Sequence, residues 1–351
     1  MTLSRLTVSA LRATVAVDFD EAMPVALIER VREAWSGALA GADAVPDRVL
    51  ECVDQQDDER LLEQLSTRVT LAALEHERGN AVLLHACGVA LPDGRVIAFV
   101  GPSGRGKTTL SRALALQYGY VSDESIAIDA DLRVHPYRKP LSVVRPNAPK
   151  EQVSPRTAGL RELPAVPLTL AAVVLIERDD ALAAPVVEHL HFADAVTPLV
   201  AQASYLGDLP GTIVTLARVC ERIGGIRRVR YSDAASVADV IEELLASGPA
   251  PEAWDGRSLA VVGTDGELTS ADAVDFGDVM FVLSGRLLRR VEGIATAVLR
   301  AVDDGELESD AIVRRVLDEV GPPPQGDAAE LISDVLGDLA RAGFVVPSPA
   351  A

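Results

Sequence analysis

Gly101, Gly106, Lys107 and Thr108 fill every fixed position of the phosphate-binding pattern G-x-x-x-x-G-K-[ST]. Glycine tolerates positive φ, so the loop between the fixed positions can turn consecutive backbone N–H groups inward onto phosphate oxygens. Ser103, Arg105 and Gly106 are the expected backbone donors, and Gly104 belongs to the same turn. Lys107 is spaced to reach the β- and γ-phosphates, and the Thr108 hydroxyl to ligate the Mg²⁺ that bridges them. Thr109 completes the nucleotide-binding candidates but replaces neither neighbour. The implied cofactors are a nucleoside triphosphate, ATP first, and Mg²⁺. The alternative is a glycine-rich turn with no ligand.

The flanking residues supply the elements this chemistry needs. Val96 to Val100 reads as a short buried strand, and Thr108 to Gln117 as a helix with Leu110, Ala113 and Leu114 on one face. A helix N-terminus directly after the loop adds partial positive charge beneath the phosphates. Further on, Tyr120 to Ile128 reads as a strand with Asp123 and Glu124 at its centre. Carboxylates near a triphosphate hold Mg²⁺ or take a proton from an attacking hydroxyl; the same pair also fits a solvated turn. His85 is the polar residue of an apolar strand, Ala81 to Leu91, where a structural role and a catalytic one both fit. Leu170 to Asp180 is a buried strand ending in acid, similar in pattern to a Walker B strand with Glu177 as its acid, or a strand that Glu177 merely caps. Residues 131–161 carry Arg133, Arg138, Lys139, Arg145, Lys150, Arg156 and Arg161 among prolines, and read as a long ordered loop or flap, either clamping phosphates or a peptide or, the slightly favoured reading, simply solvated.

Composition narrows the classes. A 351-residue chain, 48% hydrophobic, fills two domains with proper cores. A net charge of −19 argues against nucleic acid, whose binding rests on neutralising phosphates with Lys and Arg. No apolar run is long enough for a bilayer and no export signal is read, so the expectation is a cytoplasmic protein without a membrane partner. Cys52, Cys87 and Cys220 lack metal-type spacing and read as buried apolar residues. A homo-oligomer is left open.

The expected organisation is a nucleotide-binding domain over residues 1–248 (an N-terminal part, 1–80, and a loop-bearing part, 81–248), a linker over 249–256 and a small domain over 257–351. In the first part, helices over Pro24–Ala38 and Glu59–Arg78 flank a strand at Arg48–Val53. In the last, a hairpin with its tip at Thr264–Gly266 and a strand at Asp278–Ser284 precede helices at Leu287–Val302, Asp310–Val320 and Asp327–Ala342, with Phe344–Val346 closing as a strand.

Leu84-His85-Ala-Cys-Gly88, the loop at 101–108 and Ser122-Asp123-Glu124 together resemble the catalytic domain of HPr kinase/phosphorylase. The resemblance implies an α/β P-loop kinase domain with a mixed sheet and flanking helices. It also implies that Asp123 is general base for a hydroxyl nucleophile, with His85 tuning it, Lys107 on the phosphates, and Glu124 supporting the site beside Thr108 as a metal ligand. The family's later glutamate motif, tied to phosphorolysis, is not found. Residues 257–351, with Gly293–Glu306 and Leu336–Val345, resemble PqqD-like peptide-binding modules, a small α+β winged helix. That resemblance implies a ribosomally made precursor peptide as partner, bound as an added strand.

Overall fold

The computed structural model describes residues 4–41, 43–53, 57–145, 148–246, 248–249, 252–263 and 266–347. Two compact units result: Met1–Leu190 with Pro198–Tyr205 and Arg222–Pro249, and His191–Thr197 with Leu206–Glu221 and Ala250–Ala351. Thr264 and Asp265, at the expected hairpin tip, and residues 250–251 of the expected linker lie outside the described residues.

The first unit opens with a hairpin, β1 (Ser4–Ala10) and β2 (Ala13–Phe19), antiparallel in register Ser4↔Phe19, with β3 (Arg48–Cys52) parallel to β2. Helices α1 (Val25–Ala34) and α2 (Asp58–His76) complete this layer. Asp57 caps α2 by accepting from the Arg60 N–H at 3.1 Å. The buried stripe Leu61, Leu62, Leu65, Val69, Ala72 and Ala73 recurs at helical spacing, which is why α2 packs along one face. The β1–β2 hairpin was not expected from the sequence: its tight turn is made by Leu11, at φ 59°, and not by a glycine.

The chain then runs through β4 (Val82–Leu84), β5 (Ala86–Ala90), β6 (Arg95–Val100), α3 (Lys107–Leu114), β7 (Gly119–Ser122), β8 (Ile126–Ile128), β9 (Val134–His135), β10 (Leu141–Arg145), β11 (Ala148–Val153), β12 (Thr169–Arg178) and β13 (Val186–Leu190). Next come α4 (Phe192–Val200), β14 (Ala203–Ser204), α5 (Thr212–Arg222), β15 (Ile226–Tyr231) and α6 (Ile241–Leu245). A six-stranded mixed sheet, β13-β15-β12-β6-β5-β7, has β12 parallel to both β6 and β15 at its centre. Its central strands are buried almost throughout, as near-continuous apolar runs such as Val96–Val100 demand. A four-stranded sheet, β14-β4-β8-β9, lies in the same unit.

Two expected strands are each divided between these sheets. Ala81–Leu91 breaks at His85, with β4 pairing β8 and β5 pairing β6 and β7. Tyr120–Ile128 breaks at Asp123–Ser125, with β7 in the larger sheet and β8 in the smaller. Both breaks fall where one strand pair passes from sheet to sheet, and the His85 N–H is satisfied there by the Gln202 carbonyl at 2.7 Å.

The second unit holds an antiparallel sheet, β16 (Asp255–Val262), β17 (Leu268–Asp275), β18 (Val279–Ser284) and β19 (Leu287–Glu292), followed by α7 (Ile294–Asp303), α8 (Ser309–Val320) and α9 (Ala328–Arg341). Leu287–Glu292 is therefore strand and not the start of a helix. Gly285, at φ 57°, makes a two-residue turn that returns the chain onto β18, and Gly293, at φ 63°, separates strand from helix. Phe344 closes with one bridge to Val261 rather than a full strand. Segments 191–197 and 206–221, expected with residues 1–248, pack in this unit: Phe192 stacks on Phe276 at 5.8 Å, and the Thr212 hydroxyl donates to Asp272 at 2.7 Å.

Candidate functional site

The loop between β6 and α3 adopts the conformation its glycines permit. Gly104 (φ 79°) and Gly106 (φ 88°) are left-handed, a region that costs other residues energy. Gly101 is required for a different reason: a Cβ there would stand 2.6 Å from Cγ1 of Ile176 on the neighbouring strand β12. Lys107, the first residue of α3, is buried, and its Nζ donates to the carbonyls of Gly101 at 2.6 Å and Pro102 at 3.1 Å. Burial pushes its pKa down, against the opposing pull of Cys87, Glu124 and Asp123. Ser103, Gly104 and Arg105 are exposed along the loop. Thr109 is exposed too, and lines a cavity of about 210 Å³ with Arg112, Leu116 and Leu160.

The divided strands bring the acidic residues to this loop. The Thr108 hydroxyl donates to Asp123 Oδ2 at 3.2 Å, and the Tyr120 hydroxyl donates to Asp123 Oδ1 at 3.0 Å. Asp123 is buried at 4% exposure, a cost met by these donors. The Ser122 hydroxyl accepts from the backbone N–H groups of Glu124 and Ser125 at 3.2 and 3.1 Å, which fixes the bend that presents both carboxylates. The Thr108 hydroxyl is a hard oxygen donor with the acid pair beside it. That set suits Mg²⁺, which takes one or two protein oxygens and completes its shell with water and phosphate.

His85 is half-buried at the break between β4 and β5. Burial lowers its pKa and the Lys107 charge lowers it further, outweighing Glu124 and Asp123, so the imidazole is neutral at neutral pH. Burial also lifts the neighbouring Cys87 thiol to about 12, leaving it protonated.

The basic segment 131–161 is not the solvated loop the sequence suggested. The Tyr137 N–H donates to the Val121 carbonyl at 3.0 Å, which lays the segment along β7. Lys139, 2% exposed, then places its Nζ 3.0 Å from Glu124 Oε2 and 3.6 Å from Asp123 Oδ1. Burial would lower the Lys139 pKa, but the Asp123 and Glu124 charges outweigh it and hold the ammonium protonated. Burial likewise pushes Glu124 up, while Lys139, His85 and Lys150 bring it net below its ordinary value. Arg138 is buried as well, bonded through Nη1 to Glu162. Neither Tyr120 nor Lys139 was expected at the acid pair; the one available sign was that Lys107, Lys139 and Lys150 are the only lysines in an arginine-rich chain.

Glu177 stands near the end of β12, next to the loop strand β6 in parallel register Leu175↔Val100. Its carboxylate is mostly exposed, 3.9 Å from Arg228 Nε. Among the described residues, no cluster of three or more His, Cys, Asp or Glu forms a metal cage, and no helix is long and apolar enough to cross a membrane.

No protein-family model matches the chain. Short stretches are similar to two curated proteins. A probable anion import ATP-binding protein of Haloferax volcanii is 44% identical over 50 residues, 14% of this chain and 17% of that protein. The phosphate import ATP-binding protein PstB 1 of Vibrio parahaemolyticus serotype O3:K6 is 36% identical over 69 residues, 20% of this chain and 25% of that protein. The chain thus spans a quarter or less of each relative's length, and its mixed α/β architecture is compatible with nucleotide binding.

Proposed function

We propose that this chain is an ATP-dependent kinase that phosphorylates a hydroxyl, serine first, of a ribosomally made precursor peptide bound by residues 257–351. The observation that carries the proposal is the joining of Asp123 to Thr108 at 3.2 Å, which sets a buried carboxylate at the phosphate loop. An ATPase needs the loop; a buried carboxylate held there by two hydroxyls also offers a proton acceptor for an incoming alcohol. Similarity to stretches of two ATP-binding proteins supports ATP binding, and the resemblance of residues 84–124 to the HPr kinase catalytic domain supports the kinase reading.

In this mechanism the backbone of Ser103–Gly106 cradles the phosphates, and Lys107 exchanges its two loop carbonyls for phosphate oxygens. Thr108, with Glu124 supporting it, would hold Mg²⁺, which would neutralise γ-phosphate charge. Asp123 accepts the serine Oγ proton as Oγ bonds to the γ-phosphorus and the bond to the β,γ-bridging oxygen breaks, releasing ADP. Neutral His85 adds no positive charge of its own beside the carboxylate.

The C-terminal partner is inferred from the second unit alone. β19 is the end strand of its sheet, paired on one side with β18. Beside it, Arg289, Val291, Ala295, Val335, Leu339 and Phe344 line a groove of about 520 Å³ between β19 and α9. An extended peptide that adds a strand to β19 would place alternate side chains in this groove. Four antiparallel strands followed by three helices suit the PqqD-like winged-helix reading, and a net acidic surface makes DNA a poor partner.

The discriminating experiment incubates the protein with Mg-ATP and candidate precursor peptides and measures the peptide's intact mass. Gain of one phosphoryl mass supports the kinase. Hydrolysis with an unchanged peptide would leave the second reading, an ATPase or nucleotide-binding regulator of peptide maturation, which the position of Glu177 beside the loop strand favours.

A further inference from the structure

The acid pair already carries a cation of its own. Lys139 Nζ lies 3.0 Å from Glu124 and 3.6 Å from Asp123, and donates its remaining visible hydrogen bond to the Pro140 carbonyl at 3.3 Å. Its side chain is 3% exposed, as is that of Asp123. The backbone on either side is pinned. Tyr137, fully buried, bonds Val121 through its N–H and shares a hydrogen bond of 2.9 Å between its hydroxyl and Thr70, while Pro140 and Leu141 are buried on the other side. The ammonium is therefore a fixed fitting of the site and not a surface side chain that has swung in.

Phosphoryl-transfer sites commonly balance clustered carboxylates and phosphates with two divalent ions. Here the two carboxylates beside the loop, Asp123 and Glu124, already share their negative charge with Lys139. A divalent ion placed between Asp123 and Glu124 would sit against the ammonium at a few ångströms, where like charges repel strongly even with partial screening. We infer that Lys139 is a built-in positioning cation, supplying between Asp123 and Glu124 the charge a second divalent ion would otherwise bring, so that the site works with the single ion that accompanies the nucleotide. This rests on the kinase reading of the same site.

The test counts ions. With β,γ-imido-ATP and Mn²⁺ followed by electron paramagnetic resonance, the wild-type protein is expected to hold one Mn²⁺ per chain; two would overturn the inference without any variant being made. In the absence of nucleotide, Lys139→Met is expected to bind Mn²⁺ at least about tenfold more tightly than wild type, because the repelling charge is gone and two carboxylates remain. Lys139→Arg should behave as wild type, and the double variant Lys139→Met/Glu124→Gln should lose the new site. A folded Lys139→Met protein whose Mn²⁺ affinity equals that of wild type refutes the assignment. Transfer by Lys139→Met should also acquire a second, higher-concentration phase in its Mg²⁺ dependence, which a merely structural lysine would not produce. Should wild type bind imido-ATP yet phosphorylate no peptide, the kinase reading fails, while the ion counts still decide the role of Lys139.

Discussion

Asp123→Asn isolates the proton acceptor from the architecture around it. Asparagine keeps the shape of the side chain and an oxygen for the Tyr120 hydroxyl, now 3.0 Å away, and its amide can donate to Thr108 Oγ1 across the present 3.2 Å. The charge seen by Lys139 falls, yet Glu124 remains 3.0 Å from the ammonium. The stability cost should therefore stay near about 1–3 kcal/mol, the range for a weakened buried polar contact, and below the roughly 3–5 kcal/mol of a stranded buried charge. Transfer suffers far more: without a general base it should fall by about 10²–10⁴-fold. The assay pairs single-turnover transfer from γ-labelled ATP to peptide with calorimetric titration of imido-ATP, and urea unfolding confirms that the variant is folded. Loss of transfer with nucleotide affinity within a few-fold of wild type is the expected pattern. A folded Asp123→Asn protein that transfers at the wild-type rate refutes the assignment of the base, and parallel loss of nucleotide binding would make Asp123 a binding residue instead.

Other consequences follow from single contacts. Gly106→Ala forces a side chain into φ 88°, a strain of about 1–2 kcal/mol, and should weaken imido-ATP binding by roughly tenfold; unchanged binding would mean that the loop does not need this conformation. Ala342→Trp fills the exposed end of the groove between β19 and α9, so titration should show loss of peptide affinity by about tenfold or more while nucleotide binding stays unchanged. Stability should fall on the acid side. His85 is depressed below its ordinary 6.5 and Glu124 below its ordinary 4.5, so the unfolded chain binds more protons than the native one as pH drops through each value. Urea midpoints should therefore decline as pH falls below 6.5, the window set by His85, and His85→Asn should flatten that decline; an identical slope in the variant would remove His85 as its source.

Much of the site was written in local sequence, because its chemistry depends on residues close along the chain. The loop at 101–108 needs glycines at fixed offsets and an adjoining helix start, and both are legible from neighbouring residues alone. Helix α2 was legible for a similar reason, since its apolar residues recur at one period over five turns. Strand boundaries at the acid pair were not. Apolar content continues through His85 and on both sides of Asp123–Ser125, so nothing local marks the change of sheet; that break depends on which distant strands supply the hydrogen-bond partners.

Lys139 separates what the chain determines alone from what folding decides. A phosphate-binding loop, a histidine before it and two carboxylates after it follow from the chain alone, since those are properties of residue type and short spacing. It also showed a basic, proline-rich segment, and solvent was the ordinary destination for such charge. Only the tertiary structure lays that segment along β7 and buries Lys139 against Asp123 and Glu124, some fifteen residues before it in the chain. The physical reason is that a buried carboxylate such as Asp123 must find a counter-charge, and which one it finds depends on the folded path of the backbone, not on the pattern of residues that flank it.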